Sequence, residues 1–158
     1  MKEKLVAAML CCAFSDPCFA VDWYVTSVSK VGMTLINTQS ISTVGAYKQA
    51  EITEVLSNTS QGFDVVVTGV RIDCGGMKGM GLWNAFYSKG KLLAKQETHA
   101  TKMGPFRKGS IGWGFATAVC NGPDSEHNLG YHGSDYGDLA KEGRRIWKIL
   151  NERYPLPG

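Results

Sequence analysis

Between residues 22 and 100 the apolar positions fall in short runs rich in Val, Ile, Thr and Tyr, separated by Gly, Asn and Ser. This punctuation predicts six extended segments, at about 22–28, 33–38, 43–56, 64–74, 82–87 and 92–99. In the third, Ala46, Ala50 and Ile52 share one face and Tyr47, Gln49, Glu51 and Thr53 the other, the alternation of a sheet with one buried and one solvated side. Residues 57–62 read as a polar loop, Gly75-Gly76-Met77-Lys78-Gly79 as a turn, and Ser88-Lys89-Gly90-Lys91 as a tight hairpin. Beyond Thr101, Gly104, Pro105, Gly109, Gly112 and Gly114 predict a loop-rich stretch, carrying Trp113 and Phe115, that wraps an end of the sheet. A second loop is expected over 121–138. Leu139, Ile146, Trp147, Ile149 and Leu150 then interleave with Lys141, Glu142, Arg144, Arg145, Lys148 and Arg153, which predicts an amphipathic helix over about 138–153 with a wet face at Arg144 and Arg145. Asp138 and Arg153 suit the helix dipole, and Pro155 and Pro157 stop the helix. The fold class is therefore α+β: an antiparallel sheet of about six strands, a loop region and a C-terminal helix packed on the sheet.

The first twenty residues follow a different rule. A charged start, Met1-Lys2-Glu3-Lys4, leads into an apolar run to Phe14 and closes on Ser15-Asp16-Pro17-Cys18-Phe19-Ala20. That order is expected of a secretory signal peptide over residues 1–20, cleaved after Ala20, leaving 21–158 as a single domain. The apolar run is too short to cross a bilayer core, which takes about 20 residues, so no transmembrane helix is expected. None of Cys11, Cys12 or Cys18 follows the small residues of a lipid-attachment box, so no lipid anchor is expected.

Composition narrows the picture further. With 44% hydrophobic and 20% charged residues the chain is of ordinary globular make-up. A net charge of +3 is too small an excess to point to nucleic acid. Of the five cysteines, Cys74 and Cys120 alone lie beyond the export segment. In an oxidising compartment they are expected to pair and to tie the loop region to the sheet.

The order of several short motifs between Trp23 and Cys120 resembles the bacterial surface-adhesin protein E family. They are Trp23-Tyr24, the strand end Asn37-Thr38-Gln39-Ser40-Ile41, Arg71-Ile72-Asp73-Cys74, Tyr87-Ser88-Lys89-Gly90, and Trp113 ahead of Ala118-Val119-Cys120. The resemblance implies a six-stranded antiparallel sheet with helical elements and a disulfide, exported to the periplasm or cell surface of a Gram-negative bacterium. It also implies a protein partner, for some members a host extracellular-matrix protein. Asn37 stands where the family usually carries Asp, and Tyr47 is the nearest aromatic to its third-strand Trp. The stretch after Cys120 lies outside the resemblance.

Candidate chemistry is sparse. Asp124, Glu126, His127, His132, Asp135 and Asp138 share one loop, which raises a metal-binding protein or a small periplasmic hydrolase as the alternative function. His127 and His132 lack the i, i+4 spacing of a zinc-binding helix, and a solvated polar loop explains them without a ligand. His99 stands alone at the end of a strand. The glycines of 75–81 lack the Gly-Lys-Ser/Thr order of a phosphate loop. No serine sits in a nucleophile elbow, and paired cysteines supply no thiolate. No cofactor and no catalytic activity are expected. Lys89, Lys91, Lys95, Lys102, Arg107 and Lys108 form the densest basic stretch and are the candidate binding surface, for acidic protein segments or sulfated polysaccharide. Lysines of this kind also keep an exposed strand edge from aggregating. The expectation is a non-enzymatic envelope protein that binds a host-matrix or envelope protein. A structural envelope component that forms a homodimer through an edge strand is a further alternative.

Overall fold

The computed structural model describes residues 22–122 and 135–153, and the backbone of 128–132. Residues 1–21, where a signal peptide is expected, lie outside the described residues, as do Asp124, Glu126, His127, Pro155, Pro157 and the side chains of 128–132. No described helix is long and apolar enough to cross a membrane.

Six longer strands build the sheet, all antiparallel: β1 (Asp22–Ser29), β2 (Gly32–Asn37), β4 (Tyr47–Leu56), β5 (Val65–Asp73), β6 (Lys78–Ser88) and β7 (Lys91–Glu97). Three short strands complete it: β3 (Ser42–Val44) on β4, β8 (Gly104–Pro105) on β6, and β9 (Asn128–His132) on β1. The order across the sheet is β7-β6-β5-β4-β2-β1-β9. The long third segment of the sequence breaks into β3 and β4 because Gly45, at φ +61°, turns the chain back so that Val44 pairs with Tyr47. A 3-10 turn, Thr38–Ser40, links β2 to β3.

Each face of the sheet is buried in part, by one helix, so neither face is solvated along its whole length. Helix α2 (Tyr136–Arg153) packs on one face, against Trp23, Met33, Leu35, Val55, Val65, Val67 and Ala85. Helix α1 (Ile111–Asn121) packs on the other, against Tyr24, Ile36, Ala50, Ile52, Val70 and Ile72. Strand alternation makes this possible, since Leu35 and Ile36, or Val67 and Val70, deliver apolar side chains to opposite sides. The register adds a second regularity. Under α2 lie residues at the end of the sheet where Met33, Val55, Val65 and Tyr87 align; under α1 lie residues at the other end, around Ile36, Ala50 and Ile72. Neither helix covers its whole face, and on the α2 side the row of Glu51, Gly69 and Trp83 is left open.

Helix α1 occupies sequence read above as loop. Ser110 caps it by accepting the Trp113 N–H at 3.1 Å. Its glycines meet neighbours that a side chain would strike: a Cβ on Gly114 would lie 3.1 Å from the Thr26 carbonyl, and one on Gly112 would lie 2.9 Å from the Phe106 ring. Close approach, not flexibility, explains them. Lys48 donates to the Val119 and Cys120 carbonyls at 3.0 and 3.1 Å and so satisfies the last turn. The Cys74–Cys120 disulfide fastens the same end of the helix to the end of β5, with Cα atoms 5.6 Å apart.

Helix α2 starts at Asp135, which accepts from Gly137 N at 2.5 Å and Asp138 N at 3.1 Å. Trp147 donates its indole N–H to the Ser29 carbonyl at 2.7 Å. Arg144, expected on the wet face, instead approaches Asp64, with Nη1 3.8 Å from Oδ2. Asp64 is 3% exposed, and its Oδ2 also accepts the Lys89 N–H at 3.1 Å, tying the β6–β7 hairpin to the helix.

Candidate functional site

The open part of the face that carries α2 is a polar cleft of about 450 Å³. Its floor is one row of the sheet, Glu51 opposite Gly69 opposite Trp83. Its side walls come from Asn37, Gln39, Ser40 and Ser42 on the β2–β3 connection, and Gln49 closes the row beyond Glu51. The local structure is firmly held. Asn37 accepts the Gln39 N–H at 3.0 Å, and the Ser40 hydroxyl donates to the Asn37 carbonyl at 2.7 Å while accepting the Glu51 N–H at 2.8 Å. The Gln49 amide oxygen accepts from Arg71 Nε and Nη2 at 3.2 and 3.0 Å, in the amide orientation that satisfies both groups.

Trp83 owes its position to a glycine. A Cβ on Gly69 would fall 2.3 Å from the indole Nε1, so the ring lies directly over the bare backbone of β5 and reaches toward β4. A bulge in β6 between the partners of Gly69 and Val70 sets Trp83 at this point of the row. Lys95 Nζ caps the ring from outside, 4.3 Å from its centroid. On the helix side, Tyr136 packs between Trp23, at 6.1 Å, and Tyr87, at 4.4 Å between ring centroids. Burial, and then the charges of Glu51 and Tyr87, push the Tyr136 phenol above its ordinary range; burial and then Glu51 do the same to Tyr87. The Glu51 carboxylate thus stands at the boundary between the apolar half of this face and the polar half.

The six cations of the basic stretch are all exposed but do not form one surface. Lys89, Lys91 and Lys95 lie on the β6–β7 hairpin. Arg107 and Lys108 follow β8, which pairs with the opposite end of β6 at Lys78, and Lys102 lies on the connection leading there. Ten residue steps of β6, from Lys78 to Ser88, place the Lys89–Lys91 turn roughly 30 Å from β8. The hairpin group borders β7, which ends the sheet with every residue exposed, Leu92 by 48% and Leu93 by 53%.

Of the acidic and histidine loop, Asp135 is the helix cap already described, and Asp138 lies in the first turn of α2. His132 is described by its backbone alone, paired with Asp22. Among the described residues no cluster of His, Cys, Asp and Glu is disposed to hold a metal ion. His99 is exposed on the connection after β7. In the glycine turn after β5, the amides of Gly75 and Gly76 both donate to Asp73 Oδ1 at 3.1 Å, so the chain's own carboxylate takes the place an anion would occupy.

Sequence reasoning missed the cleft. Its one local signal is Gly69, a glycine inside the most Val-rich strand of the chain, which marks a point where another group presses on the backbone. Compared with family models, with curated proteins and with solved structures, the chain matches none of them.

Proposed function

We propose that this chain is an exported, non-enzymatic protein that works by binding another protein, and that it does so along the outer edge of β7. The observation that carries this reading is the seven-residue terminal strand, exposed throughout, with Leu92 and Leu93 beside a row of lysines. An extended segment laid along that edge would take up the free backbone N–H and C=O groups as one more strand. Lys89, Lys91 and Lys95 favour an acidic segment and speed its approach. A disulfide-braced domain suits an oxidising compartment, periplasm or cell surface. The motif order shared with the surface-adhesin protein E family supports the same reading and suggests extracellular-matrix or envelope proteins as partners.

Binding of the oxidised 21–158 chain to immobilised matrix proteins and to envelope extract tests it. Capture should weaken as salt rises and fall at least tenfold in a K89E/K91E/K95E variant. Full retention by that variant would remove the β7 edge from consideration. Light scattering that shows a dimer dissociated by the same substitutions would assign the edge to a second copy of the chain.

A further inference from the structure

We infer that the cleft over Gly69 is a binding site for a neutral saccharide. The argument starts from hydrogen-bonding capacity. Across the glycine floor, the Glu51 carboxylate offers acceptors only, and the Trp83 indole N–H offers a donor only. Among the described residues the Trp83 indole N–H makes no hydrogen bond. The ring reaches back over Gly69, and Glu51 stands opposite Gly69 on the next strand, so donor and acceptor line one cleft from neighbouring strands. A hydroxyl placed between them satisfies both, accepting from the indole and donating to the carboxylate. A carbonyl or a carboxylate would satisfy the indole alone, and an ammonium the carboxylate alone.

The remaining lining extends the pattern. Asn37, Gln39, Ser40, Ser42 and Gln49 surround the pair with uncharged amides and hydroxyls. With its oxygen held by Arg71, the Gln49 amide keeps its NH2 group as a further donor. Net charge gives no advantage to an ionic ligand: Glu51 repels an anion, and Arg71 and Lys95 beside the cleft oppose a cation. A volume of about 450 Å³ lies within the usual range for a small-molecule site and accommodates an oligosaccharide segment of a few units. Such a site takes a ligand rich in hydroxyls, each both donor and acceptor, and free of charge.

The oxidised 21–158 chain should be screened against an array of neutral oligosaccharides, with heparin oligosaccharides as the charged comparison, and hits titrated by tryptophan fluorescence and calorimetry. At least one neutral glycan should bind, with an affinity insensitive to salt. E51Q, which keeps the shape but removes the charge, and W83F, which keeps a ring but removes the donor, should each weaken it roughly tenfold. K91E should leave it unchanged, which separates this site from the β7 edge. Circular dichroism of each variant should match the parent, so that a lost glycan reports on the cleft. Absence of binding to every neutral glycan overturns the inference. So does binding that E51Q and W83F both leave intact, or a preference for heparin that collapses with salt.

Discussion

The indole of Trp83 lies so close over Gly69 that a methyl group on Gly69 would sit 2.3 Å from Nε1. The two residues are neighbours across β5 and β6, and their contact fixes the width of the cleft. Gly69→Ala should therefore lift or rotate the ring, with a red shift in tryptophan emission and a stability loss of about 1–3 kcal/mol from overpacking. Trp83→Ala combined with Gly69→Ala should recover part of that loss, because the clash disappears with the ring. Equal destabilisation by Gly69→Ala in the presence and absence of the Trp83 side chain would argue against this contact.

The disulfide and Lys48 hold the same end of α1. Cross-linking positions 46 residues apart constrains the unfolded chain by about 4 kcal/mol in the chain-entropy treatment. Cys74→Ser with Cys120→Ser should lower stability toward that amount, measured by urea unfolding. Amide exchange in α1 should accelerate more than in α2, since α2 is joined to the sheet by Trp147 and Arg144 instead. Uniform acceleration over both helices would show that the bond braces the whole sheet and not one helix.

Alkaline pH should expose the strain on the buried phenols. Folding raises the Tyr136 pKa above its unfolded value of about 10, chiefly through burial. A group raised in this way contributes stability that is fully present below the unfolded pKa and is lost as pH climbs above it. Unfolding midpoints should accordingly be flat through neutral pH and fall above about pH 10. Tyr136→Phe should flatten part of that fall. Phenolate absorbance from Tyr87 and Tyr136 should appear only above the ordinary range of a phenol. Ionisation of Tyr136 within the ordinary phenol range, in a protein that keeps its native near-ultraviolet dichroism, would contradict the burial of its phenol.

Strands and the last helix were legible because their signals are local. The six expected segments correspond to β1, β2, the β3–β4 pair, β5, β6 and β7, and the period of Leu139, Ile146, Trp147 and Leu150 marks α2. Helix α1 was hidden because Gly112 and Gly114, poor helix formers, are there to admit Phe106 and the Thr26 carbonyl, partners that come from elsewhere in the chain. Arg144 was read as solvated for a similar reason: Asp64 reaches it across 80 positions of sequence. The cleft was hidden most completely. Glu51, Gly69 and Trp83 are brought into one row by strand register, and register depends on every pairing between them.

The cleft has packed core behind it. Beneath Glu51 and Gly69, the intervening residues Ala50, Ile52 and Val70 point the other way into the core under α1, which is locked at its far end by a covalent bond. The cleft floor is thus backed by close-packed core and a cross-linked helix. A ligand settling there would meet a surface already in its final shape and would spend little of its interaction energy on ordering the protein.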